Sequence, residues 1–335
     1  MGETGSKKLP DDPNRLPLVS VVIPFYYDFE TIGATLQSVF ELDYPNEKLE
    51  ILLVNDATDG GCDFLEKQPE VVESPVRIEL FQLSTNQGIG GARNAGQKKA
   101  RGPFLFFLDA DDVILPKKLQ IQLPPLLEDD SLDAVFSDLE EKRKGKIEKI
   151  DVGSRLPHFR DIQHYMLAWS EQISTFLFRK TALDAVGGHR RMPAEDKDLY
   201  FRMLLNGSSF QYCKGIVFQY RPRDYSYSSD EYRYLLKTVS RNFHLLAMRR
   251  LRREGKLEPL FADTLSRKLF LEARRWAFFG HFKRSFNRYA VSKKLNPKIW
   301  KNKQYSFIYR FLGVVPTEFL LFVGRSVRGI VRRGG

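Results

Sequence analysis

A chain of 335 residues with 42% hydrophobic and 28% charged side chains has an ordinary globular composition. That excludes a disordered chain and leaves room for one large domain plus a smaller one. The formal charge of +11 is uneven, with residues 1–230 close to balanced and 231–335 crowded with Arg and Lys. Two distant cysteines, Cys62 and Cys213, exclude a disulfide scaffold and a structural zinc site, so a reducing compartment is expected.

Residues 1–17 are polar and read as a flexible N-terminal tail without the apolar core of a secretory leader. Residues 18–27, "LVSVVIPFYY", predict a buried strand ending in a loop, and "ETIGATLQSVFEL" predicts a helix with Ile32, Leu36, Val39 and Phe40 on one face. "LEILLVND" (49–56) and "VRIELFQLS" (76–84) predict two further strands. The Gly-rich "TNQGIGGARNAGQKKARG" follows and predicts a helix whose glycines allow close packing on the sheet. "PFLFFLDADD" (103–112) and "LDAVFSD" (132–138) complete five strands.

Strands alternating with helical periods indicate βαβ units and a mostly parallel sheet. Continuous apolar runs fit a sheet covered on both faces. Ligands in such sheets bind outside the carboxyl ends of the strands. Those ends carry Pro24, Phe25, Tyr26, Asp56, Asp109, Ala110 and Asp111. From residue 230 the pattern becomes helical and basic, which places a domain boundary there: 18–229 as the α/β domain and 230–335 as a basic helical region. No window offers ~18 uninterrupted apolar residues, the length that spans a bilayer. The expectation is a cytoplasmic protein whose basic last third either docks on anionic lipid at the inner membrane face or is a solvated helical surface.

Six carboxylates stand where chemistry is expected. Asp109, Asp111 and Asp112 end a core-bound run within four positions, and like charges so close need a cation, a basic side chain or solvent. Glu195 and Asp196 open "EDKDLYFRMLL", where acids either complement the helix dipole or do proton chemistry. Asp56, after "LLVN", either initiates a turn or accepts a bond from a ligand.

Taken in order, "VSVVIPFYYDFETIGATLQSVF", "EILLVNDATDG", "NQGIGGARNAGQKKARGPFLFFLDADD" and "AEDKDLYFRML" resemble the GT-A inverting glycosyltransferases called family 2, over roughly residues 18–225. The resemblance implies a Rossmann-like, mostly parallel sheet with flanking helices. It also implies a nucleotide-sugar donor carrying UDP or dTDP, a saccharide or lipid-linked acceptor, and work on surface polysaccharide or glycolipid. It makes Asp109-Ala110-Asp111 the Asp-X-Asp segment, with Asp111 and Asp109 at Mn²⁺ or Mg²⁺ and Asp109 nearer the ribose. It sets Asp56 against a pyrimidine N–H, Pro24, Phe25 and Tyr26 along the base, Arg93 toward the nucleotide, and Asp196 as the base for the acceptor hydroxyl. Such enzymes often carry a histidine in a Tyr-Arg-X-His segment. Here "QYRPRDYSYSS" has Arg223 at that place, a fixed cation suited to the diphosphate rather than to a metal. A metal-dependent nucleotidyltransferase and a non-catalytic nucleic-acid binder are the alternatives. The first lacks a phosphate loop after strand one, and the second has no recognised motif, so no nucleic-acid partner is expected.

Overall fold

The computed structural model describes residues 8–158 apart from 144, positions 162 and 165, residues 171–192 and 195–221, and the single residues 266 and 290. The chain divides into two compact units, Met1–Leu245 and Leu246–Gly335, and every element below lies in the first. The expected boundary near 230, the basic region 230–335 apart from residues 266 and 290, and Arg223 lie outside the described residues.

Strand β1 (Val19–Phe25) leads into helix α1 (Ile32–Phe40), then β2 (Leu49–Asn55), α2 (Gly61–Leu65), α3 (Pro69–Val72), β3 (Arg77–Gln82), α4 (Gly88–Lys99) and β4 (Phe104–Phe107). There follow β5 (Val113–Ile114), α5 (Lys118–Glu128), β6 (Leu132–Arg143), β7 (Lys146–Ile150), β8 (Phe176–Arg179), α6 (Lys180–Ala185), α7 (Glu195–Leu205) and β9 (Ser209–Tyr220). The sheet runs β3-β2-β1-β4-β8-β6-β9-β5, with β7 paired to β6. Strands β3, β2, β1 and β4 are parallel, while β8 joins β4 and β6 antiparallel and β5 joins β9 antiparallel. This is the expected α/β sheet with flanking helices, mostly parallel on one side and mixed on the other.

The parallel half follows from the apolar runs. All seven residues of β1 and all seven of β2 are buried, as helices on both faces require. Close packing of α4 on that surface depends on Gly96, where an added Cβ would lie 2.4 Å from Val22 Cγ1. Parallel pairing aligns the carboxyl ends of β1 and β2, with Phe25 opposite Asn55. The β4 register sets Phe107 opposite Val22, so that chain bends into its acidic turn beside the same edge.

On the mixed half, aromatic stacking positions α7. The Tyr200 ring stacks on Phe176 at 4.6 Å, and Phe176 stacks on Phe178 at 5.2 Å. Leu199 and Met203 are fully buried and Leu204 packs against the core from a partly buried position. That docking points the first turn of α7, Glu195 and Asp196, toward the acidic turn after β4. Among the described residues no helix is long and apolar enough to cross a membrane.

Candidate active site

Two loops at neighbouring strand ends form one wall. The Asp56 N–H donates to Phe25 O at 3.0 Å, and Tyr27 N–H donates to Thr58 Oγ1 at 3.2 Å. Both loops contain a non-glycine residue in the left-handed region, Tyr27 at φ +58° and Ala57 at φ +66°. Left-handed backbone costs such residues roughly 1–2 kcal/mol, so tight cross-bonding holds a strained edge. Pro24 and Phe25 are buried, and of that trio only Tyr26 reaches the surface, 48% exposed.

Asn55, the last residue of β2, closes the turn that follows it. Its Oδ1 accepts Thr58 N–H at 2.8 Å, and its Nδ2 donates to Thr58 O at 2.8 Å and to Gln82 Oε1 at 2.5 Å. A carboxylate cannot donate, so the amide is what closes this turn from both sides. The turn role weighed for Asp56 therefore belongs to Asn55. Asp56 Oδ1 instead accepts Gln87 N–H at 2.7 Å, at the start of α4. That is the one recorded bond to its carboxyl among the described residues, which leaves Oδ2 for a ligand donor.

The acidic turn is built by hydroxyls of α1 that sequence reasoning did not single out. Thr31 donates to Ala110 O at 2.9 Å, and the Thr35 hydroxyl is shared between Ala110 O at 3.0 Å and Asp112 O at 2.8 Å. Ser38 accepts Ile114 N–H at 3.2 Å. Ala110 itself is buried, so the side chains of Asp109 and Asp111 are presented by a pinned backbone. Asp112 differs from both. It is 2% exposed and accepts Arg221 N–H at 2.9 Å, so it joins β9 to the turn rather than capping the helix beyond Pro116. Burial, and then the charges of Asp111 and Asp109, push its carboxyl well above the usual range.

Arg93 links this turn to α7. Its side chain is 2% exposed, with Nη2 donating to Asp109 Oδ1 at 2.7 Å and Nη1 to Glu195 Oε1 at 3.0 Å and Asp196 Oδ1 at 2.8 Å. Burial alone would lower its pKa, but the three carboxylates outweigh that and the net shift is upward. The guanidinium is thus permanently charged under the site. Burial raises Glu195 to about 7, with Asp196 adding to the rise and Arg93 opposing it. Burial also raises Asp196, against Arg93. The third acid of this helix, Asp198, pairs instead with Arg202 at 2.6 Å. Glu195, which opens the helix beside Asp196, and His189, close to the proposed base in "VGGHRRMPAED", complete the neighbours of the site.

The donor set suits a hard divalent cation. Asp109 and Asp111 offer carboxylate oxygens, and burial first, then their charges, raise the neighbouring Asp112. Among the described residues no three metal-binding side chains converge on one point.

The family model for glycosyl transferase family 2 matches residues 20–187, half of the chain. The chain belongs to glycosyl transferase family 2. This family 2 chain is 36% identical over 111 residues to the Escherichia coli UDP-Glc:alpha-D-GlcNAc-diphosphoundecaprenol beta-1,3-glucosyltransferase WfgD, covering 33% of this chain and 41% of that one. It spans less than half the length of that relative and of two others it matches. Two solved structures share its fold. Staphylococcus aureus TarS 1-349 in complex with UDP-GlcNAc has a TM-score of 0.52 at 17% identity, covering 88% of this chain and 95% of that one. Mannosyltransferase PcManGT from Pyrobaculum calidifontis, in complex with GDP-Man and Mn²⁺, has a TM-score of 0.53 at 20% identity, covering 94% and 88%. The GT-A architecture expected from the motifs is therefore the architecture of this family 2 chain.

Proposed function

We propose that this family 2 chain transfers a sugar, with inversion, from a UDP- or dTDP-sugar to an acceptor hydroxyl in surface polysaccharide or glycolipid assembly. One observation carries the reading: a single buried guanidinium, Arg93, ties Asp109 of the acidic turn to Asp196 of α7. A carboxylate suited to the diphosphate end and one suited to the acceptor end are thereby fixed relative to each other before any ligand arrives. Asp56 Oδ2 receives the pyrimidine N–H and Tyr26 flanks the ring, with Pro24 and Phe25 as the buried strand end behind it. Arg93 serves the nucleotide indirectly, by holding the acids from below.

Asp109 and Asp111 would hold the Mn²⁺ or Mg²⁺ ion, which supplies charge neutralisation on the departing nucleoside diphosphate. Asp196 takes the proton as the acceptor oxygen bonds to the anomeric carbon, and the bond from that carbon to the diphosphate oxygen breaks on the opposite face. Arg221, whose backbone holds Asp112, and Arg223 are the cations available to the diphosphate. Relatives with UDP-sugar or diphosphoundecaprenol in their names support this donor and a lipid-linked acceptor. The basic last third is the part proposed to meet an anionic membrane face.

The test is the melting temperature with UDP, GDP or dTDP, each with and without Mn²⁺. A ligand that binds only the folded state raises the midpoint by mass action. The expected result is a Mn²⁺-dependent rise with UDP or dTDP that Asp111→Asn removes. No rise with any nucleotide refutes an active donor site.

A further inference from the structure

His189 is a buried group beside the site for which the reaction above has no use. Its side chain is fully buried and its ring meets Phe107 edge-on at 4.9 Å. Neither ring nitrogen has a hydrogen-bond partner in this arrangement. An unpaired buried polar group is costly, and a phenylalanine would fill the same space without that cost. Its Nε2 lies 3.4 Å from Asp196 Oδ1, near enough that a small ring rotation aligns a hydrogen bond.

The backbone around it is clamped. Asn94 of α4 donates to His189 O and accepts His189 N–H, both at 2.7 Å. Arg202 of α7 donates to Val186 O and Gly188 O, both at 2.5 Å. Gly188 sits at φ +64°, and a Cβ there would lie 2.3 Å from Asn94 Oδ1. The imidazole is thus delivered to one place, by bonds from the helix that carries Arg93 and the helix that carries Asp196.

We infer that His189 is a positioning residue for Asp196, donating Nε2–H to the same Oδ1 that accepts from Arg93. The inference rests on the reading of Asp196 as the base and deepens it. A carboxylate whose Oδ1 is held by two donors keeps Oδ2 for the acceptor hydroxyl. Burial, and then the Arg93 charge, lower the His189 pKa to about 3, so the ring stays uncharged at working pH. The charged groups facing it are Arg93 from α4, Asp109 after β4, and Glu195, Asp196 and Arg202 from α7.

The test reads the contact and its effect separately. In long-range ¹H–¹⁵N spectra from pH 5 to 8, the imidazole absent in His189→Phe should not titrate, should be the Nε2–H tautomer, and should shift in Asp196→Asn. This arm needs no nucleotide, so it stands even if no donor binds. An imidazole that titrates near 6.5, carries Nδ1–H, or ignores Asp196→Asn overturns the inference. With the nucleotide sugar that the thermal screen selects, His189→Phe should keep the donor KM within about twofold and lower kcat at least tenfold, with His189→Gln recovering part of the loss. An unchanged kcat in His189→Phe overturns it as well.

Discussion

Replacing Glu195 with Gln should stabilise the protein above neutral pH and leave it unchanged near pH 4. Glu195 is 16% exposed in its side chain, bonded to Arg93 at 3.0 Å, and raised from 4.5 to about 7 by burial and by Asp196. A carboxyl with a raised folded pKa binds its proton more tightly when folded. Below 4.5 both states are protonated and the group contributes nothing to the pH dependence. As pH rises from 4.5 to 7 the unfolded chain ionises first, and stability falls until the folded group ionises too. At ~1.4 kcal/mol per unit, the full loss above pH 7 is roughly 3 kcal/mol. The attraction of Arg93 is already contained in that net shift, and the amide keeps an acceptor for it. The net gain expected at pH 8 is therefore roughly 3 kcal/mol. Urea unfolding of wild type and Glu195→Gln at pH 4.5, 6 and 8 measures it. A variant less stable than wild type at pH 8, or a difference that does not grow with pH, refutes the reasoning.

Other outcomes follow from the same geometry. Arg93→Met removes the cation from three carboxylates and should cost about 3–5 kcal/mol in urea unfolding, the range for breaking a buried charge pair. Thr35→Val removes the hydroxyl beneath the acidic turn and should cost about 1–2 kcal/mol, and Mn²⁺ titration monitored by melting temperature should show a weaker response with UDP. Gly188→Ala forces a Cβ toward Asn94 Oδ1 at positive φ and should cost roughly 1–3 kcal/mol in chemical unfolding. Asn94→Ala in that background should recover part of the loss, because the clashing oxygen is gone.

The half of the fold that was legible is the half whose burial writes itself into sequence. Strands β1, β2 and β4 are continuous apolar runs because helices cover both faces, and the acids after β2 and β4 mark where the cover stops. The mixed half was hidden for a different reason. Strand β5 is two residues, Val113–Ile114, too short for any period. Strands β8 and β9 take their places through antiparallel and long-range pairing that no local pattern encodes. At the site, motif order singled out Asp56, Arg93, Asp109 and Asp196, and the structure adds how three of them connect. Arg93 and Glu195 are 102 positions apart, and their contact depends on Tyr200 stacking under β8. The hydroxyls of Thr31, Thr35 and Ser38 were invisible as site residues because in sequence they read as the polar face of an amphipathic helix.

Arginine is the side chain that this connection demands. One nitrogen meets Asp109 while another meets Glu195 and Asp196, which uses the planar fork of a guanidinium rather than its charge alone. A lysine ammonium supplies the same charge from one point, and cannot span two carboxyl groups on separate elements without moving one of them. The charge also has to survive burial, and only a guanidinium reliably stays protonated in a site closed to water. Arg93 pairs with three carboxyl groups, Asp109, Glu195 and Asp196, while Asp111 and Asp112 add two more to the acidic turn. Burial first, and then the charges of neighbouring acids, raise Asp112, Glu195 and Asp196. A site left this negative repels a bare diphosphate. Nucleotide binding without a divalent cation should therefore be weak, and the acidic turn and the proposed base belong to one electrostatic unit.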